Sequence, residues 1–325
     1  MNIEVSYMGM KLRNPLVAAS SGMTASAEKI QELEKAGIAA VVLKSLFEEQ
    51  IIGDAAVLFA EAEHSEAIDY IKQYVQHSTV EAYLSLIKKV KQSVSIPVIA
   101  SINCVSVGTW VEFARQIEQA GADAIELNLF FLPTDKYKEA AEYENVYYTL
   151  VHSIKKIVKI PVAIKIGYHF TNLFSFANKL EMAKADAMVL FNRFWAPDID
   201  IDGLQLTAAD IYSEASDIRH TIRWIGLLSG NTGKMQLAAS TGAHNTQGVI
   251  KQILAGAHVV QLCSALYKKG TAIIPAMLDD LQQWMMKQNF KSIDDFRGKL
   301  NYSHVKNPAL YERSQFVKYF AAKEY

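Results

Sequence analysis

Short apolar runs alternate with segments whose apolar residues recur at helical spacing, and about eight rounds of this follow one another from residue 14 onward. Residues 14–20 (NPLVAAS) make the first predicted strand, bounded by a proline and by Ser20, Ser21 and Gly22. A helix is predicted over 27–36, ending at Gly37, where a C-cap glycine belongs. The second strand, 39–45 (AAVVLKS), is apolar until Lys44, as suits a parallel strand covered on both faces with a functional residue at its C-terminal end. Residues 46–79 break the rhythm as a long acidic and aromatic excursion before a helix at 80–93. Further strands are predicted at 96–103, 123–129, 160–167, 186–192, 235–239 and 258–263, separated by helices at 109–120, 142–158, 172–184, 215–228 and 246–255. The aromatic loop FFLPTDKY at 130–137 follows the fourth strand. Alternating Asp and Ile before Asp202-Gly203 predict a small hairpin within 193–206, after the sixth. An amphipathic helix at 273–288 ends the pattern.

No composition break, linker or short repeat interrupts this order, so residues 1–325 read as one domain. The expected fold class is α/β, a TIM (β/α)8 barrel with insertions after strands 2, 4 and 6. An open doubly wound sheet is the alternative, but no GxGxxG follows the first strand. The stretch 235–270 is a βαβ unit whose strands empty into small residues, Ser240-Thr241-Gly242-Ala243 and Ser264-Ala265. Small side chains let backbone N–H groups approach an anion, and the last two loops of such a barrel commonly hold a phosphate. Ordinary tight turns are the plainer alternative.

In a barrel the C-terminal strand ends face one shared site. Here they are Ala19 and Ser20; Lys44 and Ser45; Asn103; Asn128; Lys165; Asn192; Ser240, Thr241 and Gly242; Cys263 and Ser264. A lysine inside an apolar run costs several kcal/mol to bury unless an anionic or strongly accepting group meets it. Lys44 and Lys165 both fit that description, and a flavin ring, whose reduced form carries negative charge along one edge, would answer both. Asn amides and Ser hydroxyls match its carbonyls and ring nitrogens. Either lysine could instead form a structural ion pair with Glu126, and Asn128 or Asn192 could cap a helix. His169 and His244 read as bases or polar loop residues, Cys104 as a small buried hydrophobe, and Phe130-Phe131 as packing at the mouth.

Composition narrows the partners. Hydrophobic residues make up 50% of the chain and charged residues 21%, with 33 Lys+Arg against 34 Asp+Glu, which speaks against a nucleic-acid surface. No signal peptide and no apolar run long enough to span a bilayer stands out, so no membrane partner and a cytoplasmic location are expected. Cys104 and Cys263 are too far apart in sequence to suggest a disulfide framework or a metal site.

At these residues the sequence resembles the class 1 dihydroorotate dehydrogenase family, FMN enzymes on a (β/α)8 barrel. The likeness runs through NPLVAASSG at 14–22, LKS at 43–45, ELNL at 126–129, AIK at 163–165, FN at 191–192, STGA at 240–243 and GAHVVQLCSAL at 256–266, in the family's order and spacing. It implies an FMN lying along Ala18, Ala19, Ser20, Lys44 and Ser45, with Asn128, Lys165 and Asn192 bonded around it. Thr241, Gly242, Ser264 and Ala265 would bind its phosphate side, with Ser240 and Cys263 as further cofactor-binding residues. The implied reaction is the oxidation of a CH–CH bond of a small carboxylated ring, dihydroorotate to orotate in pyrimidine biosynthesis.

The departures fall on the substrate side. Where the family writes Asn-Leu-Ser-Cys-Pro-Asn, this chain has Asn128-Leu129-Phe130-Phe131-Leu132-Pro133, so a phenyl ring stands at the position of the base. Residues 64–79 lack the family's Asn- and Gly-rich substrate segment, Arg193 replaces a small residue after Asn192, and Gly-Gly-Ile becomes Thr241-Gly242-Ala243. The catalytic candidates are then Lys44, Asp135 and Cys104, with Tyr168 or His169 as alternatives for the proton. Asn192 and Arg193 are the substrate-binding candidates, Arg193 through a bidentate bond to a carboxylate or else tied to Asp135 or Asp198. A soluble electron acceptor and a homodimer touching through the hairpin at 199–206 complete the expectation. A flavin oxidoreductase with another substrate, a flavin- or phosphate-binding barrel without turnover, and an aldolase or isomerase using the Lys165 amine stay open beside it.

Overall fold

Apolar runs without alternation suit strands covered on both faces. They pair in parallel in the computed structural model, which describes residues 1–47, 65–103, 108–193 and 196–312. In chain order the barrel strands are β1 (Leu16–Ala18), β2 (Ala40–Val42), β3 (Val98–Asn103), β4 (Ala124–Asn128), β5 (Val162–Ile166), β6 (Ala187–Leu190), β7 (Gln236–Ser240) and β8 (Val259–Leu262). Each is hydrogen-bonded to the next, and β8 returns to β1 with Val260 opposite Leu16, so the sheet closes. A two-residue strand, Leu46–Phe47, lies against the end of β3. This is the expected barrel.

Around it run α1 (Ala27–Ala36), α2 (Ser65–Ser93), α3 (Gly108–Gln119), α4 (Ala140–Ile157), α5 (Leu173–Met182), α6 (Ile218–Leu228) and α7 (Thr246–Ala255), followed by α8 (Ser264–Lys269) and α9 (Ile273–Lys287). Their starts are set by polar caps: Asn172 accepts from Ser175 N at 3.0 Å and Asn245 from Gly248 N at 2.9 Å. Gly37, at φ 109°, ends α1 where expected. One helix is longer than its apolar period suggested: α2 begins at Ser65 rather than Val80. No Gly or Pro interrupts 65–93, so nothing in the backbone stops the helix within the acidic and aromatic stretch that precedes Val80.

The N-terminal end of the barrel is closed by an antiparallel hairpin, Val5–Tyr7 with Met10–Leu12. Tyr7 and Leu12 are buried under it, and the Met8 N–H donates to Gln236 Oε1 at the start of β7, at 2.5 Å. That leaves the C-terminal end as the open mouth. The predicted hairpin after the sixth strand is present as Pro197–Asp200 paired with Gln205–Ala208, standing out from the body with its residues largely exposed. Among the described residues no helix is long and apolar enough to cross a membrane.

Candidate active site

Parallel register carries the polar strand ends to one level. Asn103 lies opposite Asn128, Asn128 opposite Lys165, and Ser240 opposite Gln261. A cleft of about 200 Å³ opens above them and gathers Ala19, Ser20, Lys165, Asn192, Arg193, Ser240, Thr241, Gly242, Cys263, Ser264 and Ala265. Ala18 is buried at the end of β1 beneath it. Asn128 joins through Asn192, whose Nδ2 donates to Asn128 Oδ1 at 3.0 Å, so the two amides hold each other instead of capping helices. Ser45 joins through Ser20: their hydroxyls are 2.9 Å apart, the Ser45 N–H donates to Ser20 Oγ, and Ser45 Oγ is 2.7 Å from Ser101 Oγ. Tyr83 of α2 fixes Ser101 from behind, accepting from its N–H at 2.7 Å and donating to its carbonyl at 2.9 Å.

Lys165 is the buried cation of this mouth, 6% exposed. Its Nζ donates to Gln261 Oε1 at 2.9 Å, Gln261 Nε2 donates to Glu126 Oε2 at 2.5 Å, and Glu126 Oε1 lies 3.9 Å from Nζ. The alternative of an ion pair with Glu126 is therefore partly realised, with an amide between the charges. Burial pushes the Glu126 carboxyl above its ordinary range, against the pull of Lys165 and Gln261. Lys44 is different: it lies two residues past the end of β2 at Val42, its side chain is exposed, and its N–H donates to Thr24 O at 3.3 Å. The expectation of two buried lysines is corrected to one.

The small-residue turn after β7 is held on both sides. Thr221 Oγ1 donates to Ser240 O and Thr241 Oγ1 to Phe191 O, each at 3.0 Å. Thr241 and Gly242 take φ of 79° and 82°, and a Cβ on Gly242 would overlap the backbone of Ile218 at the start of α6. Ser264 Oγ accepts from Ser213 N at 3.0 Å, and Ser213 Oγ lies 2.9 Å from His244 Nε2. Burial first, then the nearby Lys268 charge, lower the His244 pKa, so this histidine serves as a neutral loop anchor. Burial pushes the Cys263 thiol up, with Lys165 and Ser21 acting against it.

The base position is closed. Phe131 packs edge-on against Tyr147, ring centroids 5.4 Å apart, and Tyr147 stands edge-on to Phe170 at 5.9 Å and Phe176 at 5.2 Å. Asp135 is not brought into the cleft; it is exposed and its Oδ1 accepts from Tyr137 N at 2.9 Å. Arg193 does line the cleft, but its partners are neither Asp135 nor Asp198: it donates to Ile211 O at 2.5 Å and lies 3.8 Å from Asp217. Tyr168 stacks on His220 at 5.8 Å and sits 4.4 Å from His169, at the rim of neighbouring hollows. Cys104 lies outside the described residues. Sequence reasoning missed Gln261, although a glutamine inside the apolar run VVQLC is the same signal that singled out Lys165.

Known proteins resemble the chain along most of its length. The family model for dihydroorotate dehydrogenase matches residues 2–285. A protein of Thermoplasma volcanium named dihydroorotate dehydrogenase B (NAD(+)), catalytic subunit, is 29% identical over 303 residues, covering 91% of this chain and 98% of the relative. Proteins of the same name from Thermoplasma acidophilum and Methanothermobacter thermautotrophicus are 27% and 25% identical over 301 and 313 residues, each covering 91% of this chain. Since that family model spans most of its length, the chain belongs to the dihydroorotate dehydrogenase family.

Proposed function

We infer that this chain is an FMN-dependent oxidoreductase that oxidises a CH–CH bond of a small carboxylated ring, dihydroorotate to orotate, as a step of pyrimidine biosynthesis. The observation that carries the cofactor is the cleft itself. Lys165 reaches it with one acceptor, Gln261 Oε1, at hydrogen-bonding distance, which leaves two of its three N–H donors for a ligand. The Asn128–Asn192 pair keeps an amide donor and an acceptor outside their mutual bond. The turn at Gly242 admits no side chain, the form that a backbone cradle for a phosphate takes. These groups fit FMN: Lys165, Asn128 and Asn192 would hold the ring, Ser20 would bond along it, and the turns at Ser240–Gly242 and Ser264–Ala265 would take the phosphate. When bound, FMN supplies the two-electron acceptor. Arg193 would orient a substrate carboxylate, its guanidinium steadied by Asp217 and the Ile211 carbonyl.

A second reading, a flavin oxidoreductase with another substrate, is favoured by the ring stack at Phe131, since a phenyl cannot take the proton that dihydroorotate must lose. Tyr168 and His169, at the rim, are the described candidates left for that role, which requires reaching within about 3 Å of the proton directly or through one water. Anaerobic addition of dihydroorotate to FMN-loaded protein separates the two. Bleaching of the flavin absorbance is expected; a fully loaded flavin that stays yellow with dihydroorotate removes the first reading. Fumarate and NAD+ are the soluble acceptors to try for reoxidation, the latter because the relatives are named as NAD(+)-linked catalytic subunits. The same reading includes a cytoplasmic homodimer that meets through the hairpin Pro197–Ala208.

A further inference from the structure

Beneath the cleft, Glu126, Lys165 and Gln261 come from three different strands and are all buried, at 1%, 6% and 2% exposure. The amide between them has one compatible orientation. Its oxygen faces the lysine at 2.9 Å and its NH₂ faces the carboxylate at 2.5 Å; turned over, it would set donor against ammonium and acceptor against carboxylate. The direct Lys165–Glu126 distance, 3.9 Å, is beyond a hydrogen bond, so the amide also keeps the ammonium from closing onto the carboxylate. The geometry points to Glu126, acting through Gln261, as a positioning residue that holds Lys165 charged and turned into the cleft. Tyr7 from the N-terminal hairpin and Tyr83 from α2 feel the Glu126 carboxylate, and both phenols are raised, first by burial, so they stay neutral. Cys263, just past β8 and near enough for Lys165 to act on its thiol, is likewise raised by burial. Burial raises the Glu126 carboxyl while Lys165 and Gln261 pull it back, so the carboxylate and the buried ammonium each depend on the other for their charge.

Lys165 itself reports the answer. The full chain, before FMN is added, is acetylated with acetic anhydride over a pH series, and modification at Lys165 is read by mass spectrometry. In Glu126→Gln the midpoint of that profile is expected to move about one unit lower, a tenfold gain in free amine at a given pH. Glu126→Asp, which keeps the charge, is expected to stay near the original midpoint. Gln261→Leu should do the opposite of Glu126→Gln: the lysine closes onto the carboxylate, its midpoint rises and its modification slows about tenfold. A mere loosening of the core would speed modification in every variant without moving the midpoint. Equal midpoints throughout, or Glu126→Gln and Gln261→Leu shifting the same way, would overturn the assignment. If Glu126→Gln does not fold, the direction of the Gln261→Leu shift decides alone. The inference rests on Lys165 facing the cleft, and absorbance after FMN addition tests the flavin reading separately, so a protein that binds no FMN leaves this result standing.

Discussion

At Gly242 the backbone lies at φ 82° and the neighbouring Ile218 backbone occupies the space of a Cβ. An L-residue there meets a left-handed cost of roughly 1–2 kcal/mol in addition to the overlap. Gly242→Ala is therefore expected to lower the melting temperature by several degrees and to weaken FMN binding at least tenfold, checked by thermal denaturation and flavin titration. A second residue-scale expectation concerns acid. His258, at the start of β8, is held neutral: burial first and then the Arg297 charge lower its pKa to about 4, and its Nδ1 accepts from Leu237 N at 3.3 Å. Because the folded value lies below the unfolded one, the unfolded chain takes the proton more readily. The neutral ring's contribution is complete above about pH 6.5 and is lost as pH falls from there towards 4, on the order of 3 kcal/mol in all. Denaturant titrations of the parent and of His258→Gln across that window should show the parent losing stability more steeply. A parallel decline in both would count against His258 as the sensitive group.

Between residues and the barrel stands a repeated element-level device. A helix carboxylate accepts from the backbone just ahead of a strand lying further along the chain: Glu34 from Ser95 and Ile96 before β3, Glu118 from Lys159 and Ile160 before β5, and Glu181 from Gly233, Lys234 and Met235 before β7. Burial alone would raise Glu181, but these three N–H groups hold it below the ordinary carboxylate range. Glu181→Ala leaves them without their acceptor and is expected to cost about 1–3 kcal/mol in equilibrium unfolding, with the midpoint displaced and the slope unchanged. Such straps were not legible in the sequence, since their partners lie tens of residues apart. The strands were, because a run such as VVLK or AIEL announces two-sided burial whatever it packs against. What the runs did not disclose is where a strand stops: Lys44 and Lys165 sit in similar apolar contexts, yet β2 ends at Val42 and β5 continues to Ile166, so one lysine lies beyond its strand and exposed while the other lies within its strand and buried. The loop at 130–137 was legible as a departure at Phe131 but not as a stack, since Tyr147 reaches Phe131 from α4 while Phe170, in the turn before α5, and Phe176, in α5, pack against Tyr147. Phe131→Cys restores the residue type of the family motif. It is expected to speed flavin bleaching by dihydroorotate by about 10²-fold, within the range that a general base contributes; an unchanged rate would favour the reading with another substrate.

For the molecule as a whole, the hairpin Pro197–Ala208 is the feature that a single barrel leaves unexplained. Its residues Ile199, Ile201, Leu204 and Leu206 are 64%, 78%, 87% and 72% exposed, and its strands pair with each other but not with the barrel sheet. A two-stranded hairpin is marginally stable in water without a surface to bury against, and clustered exposed apolar side chains mark interaction sites. The hairpin follows β6 and Arg193, so its footing is close to the cleft, and an element that covers it would also steady the Arg193 contact with Ile211. Under the homodimer reading a second copy supplies that cover, and the pair Leu204→Asp with Leu206→Asp places charge in the contact. Sedimentation equilibrium should then give a dimer for the parent and a monomer for the double variant, with circular dichroism unchanged because neither leucine touches the core. Affinity for a carboxylate ligand such as orotate is expected to fall in the monomer as Arg193 loses its support, while FMN binding, for which the proposed residues stand on the barrel strand ends and not on the hairpin, is expected to persist. A parent chain that sediments as a monomer at micromolar concentration would remove the dimer and leave the hairpin to a different partner.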